Sequence, residues 1–137
     1  MSLTLQRIAY CSDARQPDLA IVSLAEILAV SDRNNRRDNL SGVLLVSRGR
    51  FFQVLEGAAQ DLDRTLGRIM ADPRHGNLHF IMRRNIQTRL FEQWGMVAAR
   101  ITPSQQPVID EVIDRCRDAP DTAVAAARSL LDRQFKA

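Results

Sequence analysis

The sequence predicts an α+β domain of ferredoxin-like topology: a five-stranded sheet, two helices on one face and a C-terminal helical hairpin. Three observations predict it. The chain has 137 residues, about one domain's worth. Two hydrophobic periodicities alternate in the order strand, helix, strand, strand, helix, strand, strand, and the first six elements spell the split βαβ pattern. After residue 101 only helical periodicity remains, so the expected division is a core over 1–101 and a helical extension over 102–137.

Leu3 to Cys11 reads as a strand, ended by the polar, Pro-containing run Ser12-Asp13-Ala14-Arg15-Gln16-Pro17. Asp18 can cap a helix from Leu19, because its side chain can accept from the first free backbone amides. Ile21, Leu24, Ala25 and Leu28 then share one face, and the helix should end near Arg33 to Arg37. Leu40 to Ser47 is a continuous apolar run with Gly42 inside it, the pattern of a buried strand. Arg48-Gly49 is a turn signal, and Arg50 to Glu56 is the returning arm of a hairpin that Gly57 ends.

Ala59 to Ala71 is a second helix, with Leu62, Leu66, Ile69 and Met70 on one side. Asp72-Pro73 stops it, since a residue before Pro avoids the helical region. Leu78 to Met82 is a fourth strand, Asn85 to Gln93 a polar connection, and Trp94 to Ile101 a fifth strand ended by Pro103. Val108, Ile109, Val112, Ile113 and Cys116 form an apolar stripe that Pro120 breaks. Asp121 can cap a last helix with Val124, Ala127, Leu131 and Phe135 on one side.

Composition narrows the function. Hydrophobic residues make up 45% and charged residues 26%, which excludes disordered and collagen-like chains. No apolar run approaches the roughly 18 residues that span a bilayer, and the first residues lack a secretory pattern. Cys11 and Cys116 match no zinc or redox spacing, so a reduced, cytoplasmic protein is expected. The net charge is +3. Its arginines occur as pairs, Arg36-Arg37 and Arg83-Arg84, not as stripes interleaved with aromatics, which argues against a nucleic-acid partner.

No phosphate loop, nucleophile elbow or metal-spaced histidine pair is present. His75 and His79 straddle Gly76 and read as loop or surface residues. Gln53 stands out inside Phe51-Phe52-Gln53-Val54-Leu55, where alternation puts it on a face with Phe51 and Leu55. A buried amide without partners costs about 1–3 kcal/mol, so something must bond it. In this topology the first and third strands are central neighbours, so Tyr10 and Gln53 can meet. Either they close a structural hydrogen bond or they serve a ligand. Asn34-Asn35 reads as a helix C-cap or as an amide that recognises a heterocycle. Arg68 and Asp72 are spaced for a helical ion pair. Ile27 and Ile69 read as core, and Trp94 and Met96 point to one strand face.

Taken together, these residues resemble the BLUF domain, the blue-light sensor that uses FAD. Tyr10-Cys11-Ser12 resembles the family's Tyr-x-Ser. Asn35 to Gly42 is similar to its Asn-(x)4-Leu-[Thr/Ser]-Gly, and Phe51 to Gly57 to its Phe-x-Gln-x-[Leu/Ile]-Glu-Gly. Asp72-Pro73-Arg74-His75 and Phe91 to Met96 resemble two later stretches, so the likeness covers about residues 3–100.

The resemblance implies a flavin held noncovalently between two helices, with Ile27 and Ile69 on its faces and Asn35, helped by Asn34, at its polar edge. Arg68 and Asp72, with Arg74, would lie near the ribityl and phosphate end. Gln53 would bridge the flavin and Tyr10. It further implies photochemistry without turnover: Tyr10 gives up an electron, a proton passes through Gln53, and the Gln53 amide reorients to give a red-shifted state. Trp94 and Met96 would receive that change. No effector sequence is attached, so the chain resembles short, stand-alone members. Output is expected through an unidentified downstream protein, with a homodimer or higher oligomer expected. A ligand-free interaction module on the same fold is the alternative, and an acylphosphatase-like hydrolase lacks its phosphate cradle.

Overall fold

The computed structural model describes residues 4–14, 39–47, 49–71, 75–91, 97–98 and 106–135. Their elements are β1 (Leu5–Ala14), β2 (Ser41–Ser47), β3 (Arg50–Ala58), α1 (Ala59–Ala71), β4 (His75–Asn85), β5 (Val97–Ala98), α2 (Gln106–Arg115) and α3 (Pro120–Phe135). The helix expected after Asp18 lies outside the described residues, as do Ile27, Asn34, Asn35, Asp72, Arg74, Trp94 and Met96. The α+β class stands. The strands run in the order β4-β1-β3-β2-β5. β1, β2, β3 and β4 pair antiparallel, and β5 adds two residues parallel to β2.

Several boundaries differ from expectation. β1 does not end at Cys11: Asp13 pairs with both Arg50 and Gly76, so two flanking strands hold the polar residues extended. Gly57 does not end β3, because it pairs with Gln6, and Ala59 then donates to the Thr4 carbonyl at 3.0 Å. β4 is far longer than Leu78 to Met82, since β1 pairs with it from His75 to Asn85. Both histidines therefore lie in a strand, and His79 is exposed, in keeping with a surface residue. Pro120 does not break a helix but opens one. Ala123 donates to the Ala119 carbonyl at 3.0 Å, which makes Ala119 the cap and Pro120 the first helical residue, where a missing N–H costs nothing. Asp121, expected as the cap, instead sits in the first turn.

The β2–β3 turn follows its sequence signal. Ser47 pairs with Arg50, and Gly49 adopts a φ of 73°, as a tight hairpin requires. Gly42 permits the close approach of β2 to β3, because a Cβ there would lie 2.0 Å from the Val54 carbonyl oxygen.

Strand alternation sorts the core into two layers. On one side Ile8, Leu40, Leu44, Phe51 and Leu55 pack against Leu62, Leu66 and Ile69 of α1. On the other, Ala9, Cys11, Val43, Leu45, Phe52, Val54 and Met82 pack against α2 and α3 through Ile109, Val112, Ile113, Val124, Ala127 and Leu130. The two members of Arg83-Arg84 part accordingly. Arg83 pairs with Asp63 of α1 at 2.7 Å, and Arg84 pairs with Asp121 of α3 at 3.0 Å.

Candidate functional site

Register sets the site. Tyr10 on β1 stands directly opposite Gln53 on β3, and Leu44 of β2 flanks Gln53 on its other side. Both polar residues are buried, at 4% and 6% exposure. The Tyr10 hydroxyl donates to Gln53 Oε1. The buried amide that the sequence required to be bonded has found its partner, and its Nε2 group is then the donor end. Alternation puts the pair on the sheet face whose apolar layer holds Ile8, Phe51, Leu55, Leu66 and Ile69.

Phe80 of β4 packs edge-on against the Tyr10 ring, with centroids 6.5 Å apart and planes at 62°. The pairing of β1 with β4 shifts register between Ala9 and Tyr10, so an irregularity in the ladder sits beside the Tyr10 side chain. Sequence reasoning missed Phe80. Its signal was an aromatic inside the expected fourth strand, whose register against β1 was not legible.

Of the other expected residues, the structure brings Ile69 and Arg68 to α1. Ile69 packs on the same layer as Tyr10 and Gln53. Arg68 donates to Thr65 Oγ1 at 3.0 Å. The residues present fit a flavin: a planar ring with alternating donors and acceptors suits an amide set in an apolar floor beneath an apolar helix.

The opposite face holds a second polar centre, also missed. Glu56 is fully buried. Its Oε2 accepts from Arg7 Nε at 2.8 Å and from the Leu90 amide at 3.0 Å, and its Oε1 from the Phe91 amide at 2.8 Å. Arg89 reinforces this, donating to Ser41 Oγ at 3.0 Å and to the Asn39 carbonyl at 2.7 Å. A Glu inside an apolar strand run was the available signal, because a buried carboxylate must be paired. Among the described residues no cluster of His, Cys, Asp or Glu could hold a metal ion, and no helix is long and apolar enough to cross a membrane.

The site is thus a buried phenol–amide pair on a sheet, facing the apolar side of an amphipathic helix. The comparisons give its family. The model for BLUF, sensors of blue-light using FAD, matches residues 5–97, and the chain belongs to this family. The chain is a blue-light sensor of the FAD-using type, in preference to the ligand-free module.

It is 32% identical over 111 residues to the photoactivated adenylate cyclase subunit alpha of Euglena gracilis, covering 80% of this chain and 11% of that protein. It is 29% identical over 92 residues to the blue light- and temperature-regulated antirepressor BluF of Escherichia coli, covering 67% of this chain and 23% of that protein. The chain thus spans a small part of these relatives' length. The dark-state structure of BlrB, a BLUF protein, superposes with a TM-score of 0.80 at 25% identity, covering 96% of this chain and 99% of that one. A bacterial light-regulated adenylyl cyclase gives 0.73 at 30% identity, covering 86% of this chain and 36% of that one.

Proposed function

We propose that Tyr10 and Gln53 form the photoactive switch of a noncovalent FAD photoreceptor whose output runs through protein contacts. The buried hydrogen bond from the Tyr10 hydroxyl to Gln53 Oε1 carries this reading. FAD, when bound, supplies blue-light absorption and an excited state that accepts an electron. Tyr10 is the electron donor, and its proton leaves along the bond it already makes to Gln53. The Gln53 amide then rotates or tautomerises, and the electron and proton return to Tyr10, so no net oxidation remains. Its two ends have opposite hydrogen-bonding character, so the two bonding patterns form a bistable element.

The other roles follow the family's pattern residue by residue. Ile27 and Ile69 would flank the ring. Asn35 with Asn34 would hold its polar edge, and Arg68, Asp72 and Arg74 would serve the ribityl and phosphate end. Trp94 and Met96 would carry the change onward. The complete architecture of this reading is ferredoxin-like, with five strands, two helices on one face, a core over 1–101 and a helical hairpin over 102–137 on the other face. The protein is a cytoplasmic sensor without turnover. It acts on an unidentified downstream protein as a homodimer or higher oligomer, with no nucleic-acid or membrane partner. Steady cyclic-nucleotide synthesis or hydrolysis by the pure protein would contradict the absence of turnover.

Difference spectroscopy tests the switch. Blue light should move the flavin bands of the FAD-loaded protein to the red, with recovery in the dark, and Tyr10→Phe should lack this cycle. Acid precipitation should leave the yellow colour in the supernatant. A wild-type spectrum unchanged by blue light overturns the reading.

A further inference from the structure

Two pieces of the matched motifs have no part in the photochemistry: Asn39-Leu40-Ser41 and Glu56-Gly57. The register sets Ser41 of β2 directly opposite Glu56 of β3. Gly57 then leaves room for the chain that enters β2, because a Cβ there would lie 2.2 Å from Leu40 Cδ2 and 3.4 Å from the Asn39 carbonyl oxygen. Asn39 turns the chain with a φ of 56°, a left-handed conformation that asparagine tolerates better than most residues. Leu40, which follows the turn, is buried in the apolar layer beneath α1.

Arg89 closes this junction. Its Nη1 donates to Ser41 Oγ at 3.0 Å and to the Glu56 carbonyl at 3.3 Å, and its Nη2 donates to the Asn39 carbonyl at 2.7 Å. The planar guanidinium fixes the directions of these donors, which a lysine ammonium on its flexible stem does not. The next two residues are held by the same β3 position, since the Glu56 carboxylate accepts from the Leu90 and Phe91 amides. The Phe91 ring is fully buried in the opposite layer. One side chain therefore binds together the turn into β2, the end of β3 and the chain that follows β4. Asn35 stands four residues before Asn39, and Trp94 three residues after Phe91. Further on, Val97 and Ala98 pair with Val43 and Leu44, and Leu44 is the cross-strand neighbour of Gln53. The stretch that contains Trp94 and Met96 thus starts from the Arg89–Glu56 junction and ends on β2 beside Gln53.

We propose that Arg89 is a positioning residue of the photocycle, which sets how long the red-shifted state lasts. Through Asn39 and Ser41 it fixes the chain that leads from Asn35, and through Glu56 it fixes the start of the stretch that leads to Trp94 and Met96. The red-shifted state persists while its surroundings keep the Gln53 amide from turning back. Loss of the guanidinium fork loosens both chains at once, and the barrier to that return falls. The effect on recovery rests on the photoswitch reading above, whereas the placing of Trp94 by the junction does not.

The test uses the FAD-loaded full chain, with flavin absorbance reporting that each variant folds. After a pulse of blue light, Arg89→Met should keep the red shift and recover in the dark about tenfold faster than the wild type. In the dark, the emission of Trp94, the only tryptophan of the chain, should move from its wild-type wavelength. Ser41→Ala removes one acceptor and leaves the guanidinium. It should speed recovery about threefold and move the Trp94 emission the same way, and the double variant should be no faster than Arg89→Met alone. Arg84→Ala loses an arginine that pairs with Asp121 on the surface, and it should recover at the wild-type rate. If Arg89→Met holds no flavin, Ser41→Ala decides by the same two readings. Recovery at the wild-type rate or an unmoved Trp94 emission overturns the inference, and so do effects of Arg89→Met and Ser41→Ala that simply multiply. A wild type without a red shift loses the photoswitch reading, and the Trp94 emission then still decides whether Arg89 positions that residue.

Discussion

The two faces of this sheet draw on alternate residues of the same strands and hold their polar groups in opposite ways. On the α1 face, Tyr10 and Gln53 meet through a neutral phenol–amide bond. On the hairpin face, Glu56 of the same β3 strand is held by Arg7 and two backbone amides. An amide offers a donor at one end and an acceptor at the other, so its bonding can invert without leaving a charge unpaired. An ionised carboxylate only accepts, and loss of its partners strands a buried charge. One face is therefore built to switch and the other to hold. The held face ties β3 to residues 90 and 91, on the approach to the segment that carries Trp94 and Met96.

The largest expected effect is on the switching face. Gln53→Leu should retain flavin and lose the whole red shift, because leucine keeps the bulk without an amide to reorient. Light-minus-dark spectra check it, and a normal shift in this variant breaks the comparison at its centre. On the holding face, Glu56→Ala should cost about 3–5 kcal/mol, since it leaves Arg7 and two amides unpartnered. Urea unfolding of the dark protein measures this, and an unchanged midpoint would mean that the clasp holds nothing.

Leu130→Ala, on the core-facing side of α3, should cost about 2–4 kcal/mol by the cavity it leaves. Its red shift should survive, which separates the stability of the hairpin face from the chemistry of the other. The smallest effect belongs to Arg84→Ala. The Arg84–Asp121 pair is well exposed on both sides, so its loss should change stability by less than about 1 kcal/mol. A larger loss would make the sheet edge a true anchor for α3.

The two faces were unequally legible in the sequence. α1 was read with its observed bounds, because an amphipathic run before Asp72-Pro73 carries its own limits. The meeting of Tyr10 with Gln53 followed from alternation and from the neighbouring of the first and third strands. Strand ends beside the Gly49 turn, Ser47 and Arg50, were legible, whereas those of β1 and β4 were not, because pairing sets them. Ser12 and Asp13 look like loop but are held extended between β3 and β4. The Glu56 clasp was hidden for the same reason: its partners Arg7, Leu90 and Phe91 come from distant parts of the chain. Phe80 lay inside the expected fourth strand, but only the register of β1 on β4 put it beside Tyr10.

A hydrogen-bond change worth about 1–1.5 kcal/mol shifts a packing equilibrium roughly tenfold, enough for the switching face to be felt across the sheet. Hydrogen exchange of the FAD-loaded protein, compared between dark and steady blue light, tests that claim most directly. The account predicts altered protection in residues 106–135 as well as in β1, β3 and α1, with both sets unchanged by light in Gln53→Leu. Light-dependent changes confined to β1, β3 and α1, with none in residues 106–135, would contradict it.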